Sequence, residues 1–367
     1  MTDSPIALAQ PDLGGNELAY VQECLETGWI SSIGHFITDF EKAFTAISGT
    51  QHAVASNNGT TALHLALLAL GVGPGDEVIL PTVTYVATAN AVKYCGATPV
   101  LADSLPGTLN IDPAELERLR TPRTKGVISV HLYGIPADVH AIGAFCEANG
   151  LFHLEDAAES HGATVGGKPV GSFGDAAIFS FFGNKIVTTG EGGMVVTDDA
   201  ALEKHLRLLR GQGMDPERRY WFPEVGYNYR MTNIQAAIGV AQLERFDALL
   251  AKRQELAHRY VSHLATFDDV DLAVVPEGTV AVPWLQNVYL RGADGERRDA
   301  VMAALKEEGV DSRPVFYPMH VLPAFESARP FPVADDWSAR GISLPLHTGL
   351  SLDDVDRVCE TLARVTA

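Results

Sequence analysis

The stretch FSFFGNKIVTTGEGG (179–193) runs an apolar segment into a lysine, Lys185, and then into a loop rich in glycine. A short Phe-rich run bounded by Gly and Asn reads as a buried strand. A lysine just past the end of such a strand is either a solvated loop residue or a nucleophile. The rest of the chain has to decide between the two.

Outward from this stretch, short apolar runs alternate with helix-period segments. HAVAS (52–56), EVILP (77–81), TPVLAD (98–103), GVISVH (126–131), LFHLED (151–156), AIFSFF (177–182) and GMVVT (193–197) read as strands. TTALHLALLALG (60–71), ATANAVKYCG (87–96) and DVHAIGAFCEANG (138–150) read as helices, each closed by glycine. Continuous apolar strands alternating with helices predict an α/β fold with a mostly parallel sheet covered on both faces. ATVGGKPVGS (163–172) reads as a surface hairpin turning at Gly166-Gly167. From Thr232 a helical period continues to about residue 265, which predicts one long helix bridging two domains. VPWLQNVYLR (282–291), SRPVF (312–316) and helices over 299–308 and 352–365 then predict a smaller α+β domain. The expected division is 1–245, with the N-terminal segment, and 246–367.

The 367 residues are 46% apolar, enough for a large and a small core. The formal charge of -19, without a basic patch, argues against nucleic acid as a partner. Cys24, Cys95, Cys146 and Cys359 are far apart in sequence, so neither a CxxC motif nor zinc spacing arises. No metal site is expected: His153 and His161 lack a convincing third ligand. The opening MTDSPIALAQPDLGG has no basic start followed by a long apolar run, and no run of about 18 apolar residues occurs. The expectation is a cytoplasmic protein with no membrane partner.

Three further stretches end predicted strands and carry chemistry. In LEDAAESHGA (154–163), Asp156 is either a helix cap or a ligand group, since ligands gather at the carboxyl ends of parallel strands. Adjacent Glu155 points to the opposite face of its strand. In ASNNGTTALHLALLAL (55–70), Gly59 and Thr60 open a helix whose free N–H groups can take a phosphate. No GKS or GKT follows, and no GxGxxG occurs, which excludes a P-loop and a dinucleotide fingerprint. In PTVTYVATAN (81–90), Tyr85 stands at another strand end. An acidic group, a phosphate cradle and a lysine on one sheet edge are the parts of a pyridoxal phosphate site. Lys185 would carry the cofactor covalently and Asp156 would pair with the pyridinium nitrogen. Gly59, Thr60 and Ser180 would hold the phosphate, and Tyr85 would stack on the ring.

In these residues and beyond, the chain resembles the DegT/DnrJ/EryC1/StrS family of sugar aminotransferases over essentially its whole length. The resemblance lies in NNGTTALHLAL, PTVTYVATANAV, HLYGIPADV, LEDAAESHGA, GSFGDAAIFSFFGNKIVTTGEGGM, GYNYRMTNIQAAIG, SRPVFYPMH and SLPLHTGL. It implies the type I pyridoxal-phosphate aminotransferase fold, with a mostly parallel seven-stranded sheet in the large domain. It implies pyridoxal 5'-phosphate as cofactor, with pyridoxamine phosphate as its aminated form, L-glutamate as donor and a nucleotide-linked ketosugar as acceptor. It implies a homodimer with shared active sites, in which Asn228 reaches the phosphate of the neighbouring subunit. Glu159 would touch the cofactor's phenolic oxygen region or the sugar. Some members carry His in place of the lysine and dehydrate instead of aminating; Lys185 favours amination.

WISSIG (29–34), RGQGMDP (210–216), RRYWFP (218–223) and NYRMTNIQAAIG (228–239) look like the subgroup that converts GDP-4-keto-6-deoxy-D-mannose to GDP-perosamine. The resemblance offers Trp29, Ser31, Ser32, Tyr317 and His320 as sugar contacts. Arg230 and Arg313 meet the diphosphate or the glutamate carboxylate, or are structural ion pairs. Ser160-His161 depart from that subgroup and look more like makers of 3-amino sugars or aminocyclitols. Amination at C3 or C4, and GDP, TDP or UDP as carrier, therefore stay open. So does the alternative of a non-catalytic cofactor-binding regulator, which the intact lysine and the lack of a basic face disfavour.

Overall fold

A computed structural model describes residues 4–366; residues 1–3, at the start of the opening stretch read above, and residue 367 lie outside it. Two helices, α1 (Glu17–Thr27) and α2 (His35–Ser48), precede β1 (His52–Ser56). The alternation then runs α3 (Gly59–Ala69), β2 (Glu77–Pro81), α4 (Val86–Tyr94), β3 (Thr98–Ala102), the short α5 (Leu116–Leu119), β4 (Thr124–Val130), α6 (Val139–Asn149) and β5 (Phe152–Asp156). A hairpin of β6 (Thr164–Val165) and β7 (Lys168–Pro169) interrupts it before β8 (Ala176–Ser180), β9 (Gly193–Thr197) and α7 (Ala200–Arg210). Gly166 and Gly167 both have positive φ (58° and 79°), the backbone a tight hairpin turn requires.

The large sheet has seven strands in the order β1-β9-β8-β5-β4-β2-β3. All neighbours from β8 through β5, β4 and β2 to β3 pair in parallel; β9 runs against both β1 and β8. One edge therefore collects the carboxyl ends of β1, β2, β4, β5 and β8, and with them Ser56, Pro81, Val130, Asp156 and Ser180. Apolar clusters cover both faces. α3 is apolar nearly all round, as a helix buried against a sheet must be, and Ala62 through Leu67 are buried.

The long helix read from 232–265 is two helices, α8 (Asn233–Leu243) and α9 (Phe246–Leu264). Arg245 leaves helical geometry (φ -110°, ψ 8°), and its guanidinium reaches Asp12 at 2.9 Å. Neither Gly nor Pro marks the break, so the spacing conceals it. The chain continues through β10 (Val270–Leu272), β11 (Thr279–Val280), β12 (Gln286–Leu290), α10 (Gly295–Glu307), β13 (Arg313–Pro314), α11 (Pro332–Arg340), β14 (Gly341–Leu344) and α12 (Leu352–Thr366). A second sheet, β10-β12-β14-β13, is antiparallel and packs with α9, α10 and α12 around its own core. Ile6 is buried in that core and bridges to Val310, so the N-terminal segment packs on the C-terminal unit. β11 leaves the second sheet and joins the β6–β7 hairpin.

Candidate active site

A cavity of about 340 Å³ opens at the collecting edge of the large sheet. Gly59, Thr60, Tyr85, Asp156, Glu159, Ser180, Lys185 and Arg313 all line it. At one end lies the start of α3. Asn58 caps the helix by accepting from Thr61 N–H (2.9 Å), and Thr61 Oγ1 answers Asn58 N–H, a reciprocal capping box. The N–H groups of Gly59 and Thr60 are left without acceptors among the described residues, and the helix dipole adds its positive end there. A Cβ on Gly59 would stand 3.0 Å from Ser180 Cβ, so only glycine leaves this cradle open. Ser180 Oγ accepts a long bond from Phe182 N–H (3.4 Å) and keeps its own proton for another acceptor.

Asp156 stands on the last residue of β5, buried. Its carboxylate accepts from Thr88 Oγ1 (2.7 Å) and from Ala158 N–H (3.2 Å). No helix follows, so the capping role is excluded. Burial pushes its pKa up, against those hydrogen bonds and the nearby Lys185 charge. Among the described residues no cation lies within ion-pair distance of it. Glu155, one residue back, is directed to the other face. It accepts from His131 Nε2 (3.0 Å) and from the N–H groups of Gly171, Phe173 and Gly174 (2.9, 2.7 and 2.8 Å). His131 Nδ1 accepts from Ala137 N–H (3.1 Å), so its Nε2 is the protonated nitrogen.

Lys185 follows β8 with its side chain 9% exposed. Its Nζ lies 3.5 Å from Glu159 Oε1 and 3.8 Å from the centre of the Trp284 ring. Burial lowers its pKa, while Glu159 and Asp156 raise it. Burial likewise raises that of Glu159 against the Lys185 charge. Tyr85, at the start of α4, exposes its ring to the cavity and lies 5.7 Å from Phe316. An open anion cradle, an unpaired buried carboxylate and an amine lining one cavity fit pyridoxal phosphate.

The remaining candidates lie elsewhere. Trp29, Ser31 and Ser32 sit between α1 and α2, outside this chain's cavity. The carbonyls of Trp29 and Ser31 accept from the Asn233 side chain (2.8 Å) and backbone (2.6 Å). Asn228 and Arg230 bond to each other (3.1 Å) beside the end of β1, where Asn57 N–H reaches the Tyr229 carbonyl (2.9 Å). Neither lines the cavity. Tyr317 also stays outside, with Arg298 5.6 Å from its ring. His320 does not line the cavity either. It is buried and stacked on Phe331, with Nδ1 2.8 Å from Thr82 Oγ1 and Nε2 2.8 Å from Asp335, so both ring nitrogens are occupied. His161 is equally remote, packed among Phe44, Phe179 and Phe181. It does not line the cavity.

The sequence reading missed Trp284, Thr88 and Phe316, all of which line the cavity. Thr88 was findable. It lies one helical turn after Tyr85 and so shares its face of α4.

A family model described as the DegT/DnrJ/EryC1/StrS aminotransferase family matches residues 11–363. The chain is 53% identical over 369 residues to a GDP-perosamine synthase of Caulobacter vibrioides, covering 100% of both chains. It is 44% identical to a GDP-perosamine synthase of Escherichia coli O157:H7, covering 97% of each. Among solved structures it resembles a Streptococcus pneumoniae protein determined in apo, PLP and PMP forms. That match has 30% identity and a TM-score of 0.93 over 99% of this chain and 98% of that one.

Proposed function

The chain belongs to the DegT/DnrJ/EryC1/StrS aminotransferase family and is a pyridoxal-phosphate-dependent sugar aminotransferase; from that premise we propose that it moves the amino group of L-glutamate to GDP-4-keto-6-deoxy-D-mannose, forming GDP-perosamine. The full-length identity to two GDP-perosamine synthases carries the choice of substrate.

When bound, pyridoxal phosphate supplies an electron sink and carries the amino group from donor to acceptor. In this reading the chain's own groups do the rest. Lys185 would hold the cofactor and would move the proton at the substrate carbon. Asp156 pairs with the ring nitrogen, which gives its buried carboxylate the cation it lacks within the chain. The Gly59 and Thr60 N–H groups and the Ser180 hydroxyl hold the phosphate. Tyr85 would cover the cofactor ring, Glu159 would meet its phenolic oxygen region, and Arg313, exposed at the mouth, would take an anionic group of donor or sugar nucleotide.

The working unit is a homodimer in which Asn228 of a second copy completes the phosphate site and WISSIG of that copy borders the sugar. Support comes from exposed apolar side chains in these regions: Trp29 (54%), Ile30 and Ile33 in one, Tyr220, Trp221, Phe222 and Val225 (85%) in the other. Such clusters mark interaction surfaces. Among the described residues no helix is long and apolar enough to cross a membrane, and we place the enzyme in the cytoplasm with the nucleotide sugar. Incubation with pyridoxal phosphate, L-glutamate and GDP-4-keto-6-deoxy-D-mannose tests the reading. NMR of the product is expected to show the amine at C4. 2-Oxoglutarate formed without an aminosugar overturns the substrate assignment.

A further inference from the structure

We propose that Trp284 and Glu159 form a docking cage for the Lys185 amine, assembled on the peptide of Tyr133, which holds the lysine whenever its Nζ is not joined to the cofactor. The inference rests on the reading that Lys185 carries the cofactor.

Two different groups face the amine: the Trp284 ring at 3.8 Å and the Glu159 carboxylate at 3.5 Å. One residue holds both. Tyr133 N–H donates to Glu159 Oε2 (2.8 Å), and the Tyr133 carbonyl accepts from Trp284 N–H (3.0 Å). Tyr133 lies in the left-handed region (φ 54°), a conformation that a bulky non-glycine residue keeps only where its surroundings over-determine it. Those surroundings are present. Its ring packs against both Trp284 and Phe316 (ring centres 6.0 and 5.1 Å), which also touch each other (6.1 Å), and its Oη accepts from Phe316 N–H (2.8 Å). Next to it Gly134, also at positive φ (86°), takes the Val282 N–H on its carbonyl (3.0 Å). A Cβ on Gly134 would meet the Val282 carbonyl oxygen at 1.9 Å, so the two segments approach as closely as glycine permits.

Trp284 is fixed from two further directions. Its indole N–H donates to the carbonyl of Asn184 (2.9 Å), the residue before the lysine. From behind, the buried Arg253 of α9 donates to the carbonyls of Trp284 (2.7 Å) and Pro283 (3.2 Å), and pairs with no carboxylate among the described residues. The ring and the lysine's own backbone are thus tied into one hydrogen-bonded body.

The chemistry requires such a body. A lysine that leaves the cofactor, moves a proton and returns has a long flexible side chain with many positions to lose itself in. An ammonium over an indole face beside a carboxylate is held without a covalent bond. The charged groups facing it are Glu159 and Asp156, which favour the ammonium, and Arg253, which opposes it. Burial keeps His161 neutral, with its pKa pushed down to about 3.

The test uses Trp284→Leu and Trp284→Phe, first loaded with pyridoxamine phosphate so that Lys185 is free. The pH dependence of Lys185 reductive methylation, read by peptide mass mapping, should move to lower pH in both variants, and an unmoved profile overturns the cage. Steady-state kinetics of the holoenzyme follow. The Leu variant is expected to lose about tenfold in kcat, with KM for both substrates unchanged within about twofold. The acidic limb of its kcat–pH profile should move to lower pH, because the ammonium has lost a favourable partner. Phe keeps a weaker ring face and should fall between, with the limb moved in the same direction. It carries the test if the Leu variant does not fold. A Phe variant with wild-type kcat and wild-type pH limb, or one no better than a folded Leu variant, overturns the cage. Lys185→Ala probes the underlying reading separately: retained turnover there removes the role of the lysine itself, whatever the Trp284 variants do.

Discussion

Thr88 donates its hydroxyl hydrogen to Asp156 across 2.7 Å, and Thr84 lies 2.9 Å from Thr88 on the other side. All three side chains are buried. α4 therefore sets two things at once: Tyr85 at its start shapes the cavity mouth, and Thr88 one turn later orients the carboxylate below. Thr88→Val keeps the shape and removes the hydrogen bond. Because a bond to a charged group is worth about 1.5–3 kcal/mol, kcat should fall roughly tenfold or more and cofactor release should quicken. Thr88→Ser should restore most of both, as read by steady-state kinetics and by the cofactor's absorbance during dialysis.

Gly59→Ala addresses the cradle. The new methyl would press on Ser180 Cβ (3.0 Å) and Oγ (3.2 Å), while the helix itself tolerates alanine well. Titration of apoenzyme with pyridoxal phosphate should show affinity reduced by about tenfold or more, with an unchanged circular dichroism spectrum. Equal affinity would place the phosphate elsewhere.

A shared site makes a specific complementation possible. Lys185→Ala and Asn228→Ala dimers should each be impaired. Mixed by reversible unfolding or co-expression, they should regain activity toward about a quarter of wild type, since half the dimers then carry one intact site. Activity equal to the mean of the two parents would show that Asn228 serves its own chain.

Glu155 predicts a pH-dependent stability. Burial opposes its charge, but His131 and three backbone N–H groups more than compensate, and its pKa is held down to about 2 from 4.5. Because the folded value lies below the unfolded one, its contribution is complete above about pH 4.5 and drains away as pH falls toward 2. Glu155→Gln should cost about 3 kcal/mol in denaturant titrations at pH 7. The gap between variant and wild type should narrow as the pH is lowered through that window.

The parallel sheet and its collecting edge were legible because their signals are local. Each strand is short, apolar and bounded by turn residues, and the residue that ends it is the one at the cavity. Asp156, Ser180 and Lys185 follow from that rule. Trp284 did not, because it approaches Lys185 from about 100 residues further along the chain, through a backbone pairing with Tyr133 that no periodicity encodes. His320 misled in the opposite way: a histidine in FYPMH looks available, but the fold turns it inward onto Thr82. The break at Arg245 was hidden because an ion pair to Asp12, rather than a helix-breaking residue, accompanies it.

The most direct measurement of the central claim is borohydride reduction of the holoenzyme followed by peptide mass mapping. The account predicts the phosphopyridoxyl mass on Lys185, and no stable label on the Lys185→Ala variant. The mass on any other lysine would contradict it.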